Sequence, residues 1–230
     1  MLSFHTPRGM QKTLRVLAAL LGYPDGRLRG HLAEMRDLLR DERALPASRL
    51  VELDVLMDRL GRADPLDAEA DYVELFDRGR ATSLHLFEHV HGDSRDRGPA
   101  MIDLGQTYEQ AGLVLAEGEL PDYLPAVLEF VSTQPPREAR AFLAEMAHIF
   151  NAIFGALQRR DSAYASVLGA LLELAGEKAE AIEPAAEEPL DESWAEPVVF
   201  DGCSSKGQAR PGQAQPIRVV RKIAQPGAAA

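Results

Sequence analysis

The chain has 230 residues, of which 46% are hydrophobic and 27% are charged, and this composition is typical of a soluble globular domain. The formal net charge of −11 argues against nucleic acid and anionic lipid as partners, because both are held by clustered lysines and arginines. Cys203 is the single cysteine, which excludes an intramolecular disulfide and a metal site built only from cysteines. The expected partner is therefore another protein or a small molecule.

The N-terminal residues show no targeting or membrane-spanning pattern. Residues 1–13 lack the apolar core of a signal peptide, and the apolar run at residues 16–21 is far shorter than a bilayer-spanning helix requires. We therefore expect a cytoplasmic protein with no membrane span.

Helical periodicity dominates the sequence up to about residue 175. Apolar side chains recur every three or four positions, as in amphipathic helices, and strand-like alternation is nearly absent. Pro65 suits the first turn of a helix, where its missing N–H costs little, and Thr82 is a candidate cap for a short helix. The helices that this period predicts cover residues 14–21, 28–39, 53–60, 65–76, 82–89, 100–117, 124–131, 137–157 and 164–172.

The most apolar stretch follows Pro135 and Pro136. Its apolar residues cover so wide an arc that little of such a helix can reach solvent, so we expect residues 137–157 to form one central helix. A last core helix should end near Gly176. Together these patterns predict an all-α fold, a single-domain helical bundle of about eight helices with short connections.

The sequence changes character after residue 176. Residues 177–201 are strongly acidic, whereas the basic residues that follow have no acidic residue among them. Such a segment buries too little apolar surface to offset the entropy lost on ordering. We predict a helical domain at residues 1–176 and a disordered C-terminal tail at residues 177–230.

Residues 72–104 are the most unusual part of the sequence, because aromatic, histidine and charged residues are concentrated there. His85, Glu88 and His89 form an H-x-x-E-H pattern, which on a helix places two imidazoles on one face for a zinc ion, with a carboxylate beside them as a base. A catalytic zinc also needs a third protein ligand, for which His91 and Asp93 are the nearest candidates. A zinc-dependent hydrolase is therefore the alternative hypothesis, and histidines that serve packing are the simpler interpretation.

Four blocks of the sequence carry a family resemblance. They are residues 72–104, the GELPDYLPAVLEFVS block at residues 118–132, the W-x-x-P-V-x-F pattern at residues 194–200 and LLGYP at residues 20–24. In these blocks the chain resembles the NarJ family of nitrate reductase molybdenum cofactor assembly chaperones, within the TorD/NarJ superfamily. Residues 201–230 have no counterpart in this resemblance.

The resemblance implies an all-helical chaperone that is not an enzyme and holds no cofactor of its own. Such a chaperone binds the apo catalytic alpha subunit of respiratory nitrate reductase, and it recognises the N-terminal segment of that subunit. It supports insertion of the molybdenum cofactor and assembly of the complex, and it is absent from the finished enzyme. Further implied partners are the alpha-beta complex and cofactor-biosynthesis proteins. An acidic helical domain is compatible with this role, because an apolar groove can hold an amphipathic peptide while acidic rims attract its basic residues.

The resemblance also marks candidate client-binding residues, with no catalytic residue and no metal ligand among them. They are Tyr72, Phe76, Phe87, Glu88 and His89 in the first block, and Tyr123, Leu124, Pro125, Leu128 and Glu129 in the second. Core packing is the simpler interpretation for the aliphatic members, because leucines are usually buried in helical domains. Tyr123 and Glu129 are stronger candidates, since a phenol and a carboxylate seldom serve an apolar core.

Overall fold

Helices account for the regular structure in the part of the chain that the computed structural model describes, residues 9–91 and 95–180. The α-helices are, in order, α1 (Gln11–Leu20), α2 (Gly26–Gly30), α3 (Leu32–Glu42), α4 (Ala47–Arg62), α5 (Pro65–Tyr72), α6 (Leu86–Val90), α7 (Arg97–Gln110), α8 (Leu124–Ser132), α9 (Pro136–Glu145), α10 (Ala147–Arg159) and α11 (Ala165–Ala175). A π-helical turn, Val73–Asp77, continues α5, and a short 3₁₀ turn spans Arg80–Thr82.

The predicted all-α fold is confirmed over the described ranges, where the only β-type pairing is a single antiparallel bridge between His85 and Tyr123. The described ranges contain eleven α-helices, more than the predicted number of about eight. For example, the predicted second helix is two helices, α2 and α3, which meet at His31. Residues 177–180 contain no helix, and the predicted disorder of the remaining tail lies outside the described residues.

The core is built around α11. Every residue of this helix except Glu173 is buried, and Leu168 and Leu171 have no exposed surface. α11 packs against α4, α9 and α10 and also reaches α1. A helix that is apolar all round is stable only when its neighbours cover it from every side, so α11 is the central helix. α11 ends at Gly176, as predicted, and this glycine has the left-handed conformation with φ of 86°.

A second packing layer joins α1 to α8. Leu14 and Leu17 of α1 and Leu124 and Leu128 of α8 are completely buried, and the two helices pack directly against each other. Burial of each such leucine stabilises the fold by roughly 2 kcal/mol. This layer fixes the start of α8 next to the end of α1, which positions the site described below.

The expectation of one long helix over residues 137–157 is wrong. The chain turns by 63° between α9 and α10, at Met146. A straight helix over residues 136–159 would be about 36 Å long, whereas α11 spans only about 17 Å. The bend lets both halves pack against α11. Within the described ranges no single helix is long and apolar enough to cross a membrane, and only the bent pair together meets that length and composition.

The predicted helix over residues 100–117 ends earlier than expected. Gly112 adopts a left-handed conformation with φ of 77° and stops α7. The N–H groups of Gly112 and Leu113 donate to the carbonyls of Glu109 and Tyr108, both at 2.9 Å, which is the hydrogen-bond pattern of a Schellman motif. A loop follows and leads to α8.

Gly79 is a position where packing leaves no space for a side chain. An added methyl group would lie 2.9 Å from the Leu75 carbonyl oxygen and would collide with the Thr82 hydroxyl. We expect Gly79→Ala to lower the free energy of unfolding by about 1–3 kcal/mol, because the neighbouring backbone cannot move aside without distortion. Chemical denaturation measures the change.

Gly98→Ala is the matched control for this prediction. Nothing lies within 4 Å of a methyl group at Gly98, which belongs to α7. Alanine is a better helix former than glycine by up to about 1 kcal/mol, so unchanged or higher stability is expected. An equal loss at the two positions would contradict the packing explanation.

Candidate functional site

The π-helical turn Val73–Asp77 brings the main site residues together. In this turn the Arg78 N–H donates to the carbonyl of Val73, five residues earlier, at 3.2 Å, which is the hydrogen bond of a π-helix. Phe76 enters the core while the next residue, Asp77, stays exposed. Single π-helical turns occur frequently at functional sites. This one places a buried aromatic ring next to an exposed carboxylate.

Thr82 fixes the far end of this turn. Its expected role as a helix cap is wrong, because α6 begins only at Leu86 and the Thr82 hydroxyl donates to the Leu75 carbonyl. This hydrogen bond joins the π-helical turn to the 3₁₀ turn. Together with the tight packing at Gly79, it holds the backbone between the two turns in one conformation.

Aromatic side chains pack around the π-helical turn. The centroid of the Tyr72 ring lies 4.8 Å from that of Phe76, 5.6 Å from that of Tyr23 and 6.2 Å from that of Tyr164. Phe76 and Tyr164 also meet edge to face at 5.0 Å. Such pairs stabilise by about 1 kcal/mol each beyond the area that they bury. The cluster therefore forms a rigid wall, with Tyr23 as an exposed outer member.

Two phenol groups link this wall to α1 and α8. The Tyr72 hydroxyl donates to the Leu21 carbonyl at 2.7 Å and lies 3.1 Å from the Tyr123 hydroxyl. Because the Tyr72 hydroxyl donates its hydrogen to the Leu21 carbonyl, the Tyr123 hydroxyl is the donor in the hydrogen bond between the two tyrosines. Burial raises the pKa of both phenols, and the negative charge of Asp77 adds to the effect. Both hydroxyls therefore stay protonated at physiological pH.

Asp122 is a buried carboxylate that joins the loop before α8 to α6. It has no exposed surface, it accepts the Phe87 N–H at 3.1 Å, and it lies 3.2 Å from Nδ1 of His85. The Arg97 guanidinium is 3.9 Å away. A buried carboxylate is tolerated only when hydrogen bonds and positive charge offset its lost hydration, and these partners supply both.

Main-chain contacts run beside this carboxylate. Two hydrogen bonds, of 3.0 and 2.8 Å, connect residues 84–86 with residues 122–124. The rings of His85 and Tyr123 also pack at a tilt, with centroids 5.4 Å apart. The two longest sequence blocks that carry the family resemblance are therefore in direct contact.

Three adjoining depressions of the described surface surround the π-helical turn. The aromatic depression, of about 420 Å³, is lined by Tyr23, Tyr72, Phe76, His85, Leu120 and Tyr123, with the carboxylates of Asp77 and Glu119. The arginine depression, of about 410 Å³, adjoins it at Phe76, Asp77 and His85 and contains Arg78, Arg80, Glu88 and Arg97. The acidic depression, of about 490 Å³, adjoins it at Tyr23 and contains Leu66, Glu69, Asp71 and Glu74. Because they share lining residues, we describe them together as the π-turn groove.

Four of the predicted client-binding residues lie in this groove. Tyr72, Phe76 and Tyr123 line the aromatic depression, and Glu88 lines the arginine depression. The structure brings them together although up to 51 residues separate them in the chain.

The other predicted residues lie beside or below the groove. Leu124, Pro125 and Leu128 are buried in α8. Phe87 is half-buried on α6, and Glu129 is exposed on α8 outside the lining of the three depressions. The groove is thus built from part of the predicted set, and the buried leucines support it from the core.

Tyr23 and Asp122 are central to the site but were not predicted as site residues. Tyr23 lies in the LLGYP block and Asp122 in residues 118–132, and membership of these blocks is the one sequence signal that points to them as site residues. The contact of Tyr23 with Tyr72 and the burial of Asp122 depend on residues far apart in the chain, so no local pattern indicates them.

The geometry contradicts the zinc site suggested by H-x-x-E-H. His85 precedes α6, and its Nδ1 faces Asp122. Nε2 of His89 lies 2.9 Å from the Ser83 carbonyl, so this histidine is a half-buried packing residue with its own hydrogen bond. Among the residues that the structure describes, no three His, Cys, Asp or Glu side chains are placed to hold a metal ion. Asp93, a further candidate ligand, lies outside them.

Comparison with known sequences places most of the chain in one family. Residues 40–170 match the family model described as nitrate reductase delta subunit. The nitrate reductase molybdenum cofactor assembly chaperone NarJ of Escherichia coli strain K12 is 48% identical over 162 residues, covering 70% of this chain and 69% of that protein. NarW of the same strain, named as a chaperone of the same kind, is 42% identical over 163 residues, covering 71% of this chain and 68% of that protein.

A solved structure has the same fold. The crystal structure of a redox enzyme maturation protein from Archaeoglobus fulgidus matches with a TM-score of 0.55 at 18% identity, covering 77% of this chain and 100% of that chain. Together, the helical fold and the sequence matches define an assembly chaperone rather than an enzyme. The chain belongs to the NarJ family of nitrate reductase molybdenum cofactor assembly chaperones.

The Asp122 carboxylate leads to a prediction for His85. Its hydrogen bond raises the pKa of His85 above the ordinary value of 6.5, while partial burial of the imidazole acts in the opposite direction. We expect an NMR titration of the imidazole to give a pKa above 6.5 in the wild-type protein. Asp122→Asn, which keeps the shape and removes the charge, should lower that pKa.

The same interaction makes stability depend on pH. Because the pKa of His85 is raised in the folded state, its pairing with Asp122 contributes fully below the unfolded-state pKa, and the contribution is lost as the pH rises through the folded-state pKa. The free energy of unfolding should therefore fall less over this window in His85→Gln than in the wild type. Identical pH profiles for the two proteins would contradict this role.

Proposed function

We propose that the chain is a dedicated chaperone for respiratory nitrate reductase. It binds the apo catalytic alpha subunit by recognising the N-terminal segment of that subunit. It supports insertion of the molybdenum cofactor and assembly of the complex, and it does not remain in the final enzyme. The names of the NarJ and NarW relatives support this role. The chaperone binds the newly synthesised alpha subunit in the cytoplasm, before that subunit receives its cofactor.

The observation that carries the proposal is the exposed aromatic depression. Tyr23 and Leu120 are 47% and 44% exposed, next to the buried rings of Tyr72 and Phe76. Aromatic rings are favourable peptide-binding surfaces, because they offer a large rigid contact area at a small cost in side-chain entropy. An amphipathic segment can cover this surface with its apolar face.

The charges around the depression favour a basic segment. Asp77 and Glu119 line the aromatic depression, and Glu69, Asp71 and Glu74 line the acidic depression beside it, where Arg78 pairs with Glu74. Complementary charge speeds association and disfavours acidic partners. The net charge of −11 acts in the same direction over a longer range.

The buried members of the predicted set have an indirect role in this proposal. Leu124 and Leu128 have no exposed surface and Pro125 is buried as well, so a client could touch them only if α8 left the core. Their packing against α1 instead holds Tyr123 at the wall of the groove.

A synthetic peptide with the N-terminal sequence of the nitrate reductase alpha subunit should bind the protein in isothermal titration calorimetry. Tyr123→Ala should weaken binding about tenfold or more, as expected for the loss of an aromatic anchor. Val51→Ala is the control, because Val51 is an exposed apolar residue of α4 outside the groove, and it should leave the affinity unchanged.

Two further measurements complete the test. A scrambled peptide of the same composition should bind far more weakly, because a generic scaffold would be indifferent to the order of residues. Glu129→Lys tests whether the binding site extends along α8. A loss of affinity in this variant would show that the peptide also contacts that helix. If the native peptide gives neither heat of binding nor a shift in melting temperature, the proposal is wrong.

A further inference from the structure

We infer, on the basis of the proposed peptide binding, that the aromatic depression is a subsite for a cationic side chain of the client, a lysine or an arginine, rather than for an apolar side chain. The depression combines aromatic rings and carboxylates, and its described lining contains no lysine or arginine. A cation is attracted to the face of an aromatic ring and to a carboxylate at the same time.

The two carboxylates of the depression lack a positive partner within residues 9–91 and 95–180. Neither Asp77 nor Glu119 forms an ion pair with another described residue. Glu119 accepts a main-chain N–H, that of Ala116, at 3.4 Å. Burial is the main reason that the pKa of Tyr123 is raised, and the charges of Asp77 and Glu119 add to it, which places both carboxylates near this phenol.

Two carboxylates of the adjoining depressions differ in this respect. Glu74 pairs with Arg78 at 2.8 Å, and Glu88 pairs with Arg97 at 3.6 Å. The Glu69 carboxylate accepts the Tyr23 hydroxyl at 3.0 Å. Asp77 and Glu119, which line the aromatic depression, therefore have no cationic partner among the described residues, unlike Glu74 and Glu88.

An apolar side chain would be a poor occupant of this depression. It would remove water from Asp77 and Glu119 without replacing the lost interactions, which costs free energy. A lysine or arginine would replace that water with ionic contacts, while its aliphatic stem packs on the rings. His85 also lines the depression, but its Nδ1 faces the buried Asp122 carboxylate, which offsets a positive charge on this imidazole.

The experiment uses the full-length protein and the alpha-subunit N-terminal peptide in calorimetric titrations. Each arginine of the peptide is replaced singly by citrulline, and each lysine by norleucine, so that charge is lost while length is kept. One replacement should weaken binding about tenfold, within the range of a desolvated cation–π contact. An N-acetylated peptide, which lacks the charge of the terminal α-amino group, shows how much that group contributes to the affinity.

A double-mutant cycle locates the effect. The protein variant Asp77→Asn with Glu119→Gln should bind the native peptide about tenfold more weakly, and the sensitive peptide replacement should then have little further effect. Glu138→Gln, an exposed carboxylate of α9 outside the groove, is the matched control and should leave the affinity unchanged. Both altered carboxylates are exposed, so unchanged melting temperatures are expected.

The outcomes separate this inference from the proposed function. Tight binding that is indifferent to every single cation, or that depends only on the α-amino group, would overturn the cationic subsite and leave the chaperone role standing. Sensitivity to a cation that persists unchanged in the double variant would overturn the assignment to Asp77 and Glu119. Failure of the native peptide to bind would overturn the proposed function itself.

Discussion

The groove depends on one buried carboxylate, that of Asp122. It connects the loop before α8 to α6 through the Phe87 N–H and the His85 imidazole. Loss of a partner from a buried charge costs roughly 3–5 kcal/mol, because the charge is then left without compensation. The two segments therefore separate only at a high cost. Since one carries Tyr123 and the other carries His85, the same interaction holds both walls of the groove in place.

The π-helical turn gives the groove its mixed chemistry. Its extra residue per winding sends Phe76 into the core and leaves Asp77 at the surface. An aromatic wall and a carboxylate rim are thus produced by consecutive residues. Such a surface suits reversible peptide capture, because rings supply contact area and acidic groups supply attraction over a longer range.

The H-x-x-E-H pattern shows why spacing alone is a weak guide to metal sites. The zinc interpretation assumes that both histidines lie on one helix. His85 instead precedes α6 and His89 belongs to it, and each imidazole has a different oxygen within hydrogen-bond distance. A tertiary contact, between His85 and a carboxylate 37 residues away, decided the role of the motif.

The sequence by itself determined the all-α fold and the end of α11 at Gly176, because helical periodicity and capping are local properties. The family resemblance also rests on sequence, and it marked both segments that meet at the groove. Only the tertiary structure decided where the chain turns at Met146 and which of the predicted residues reach the groove. It also decided that Tyr23 lines the groove and that the buried Asp122 supports it. These features arise from packing between residues distant in the chain, and no periodicity within one segment records such contacts. The boundary of the helical domain at residue 176 stays a prediction.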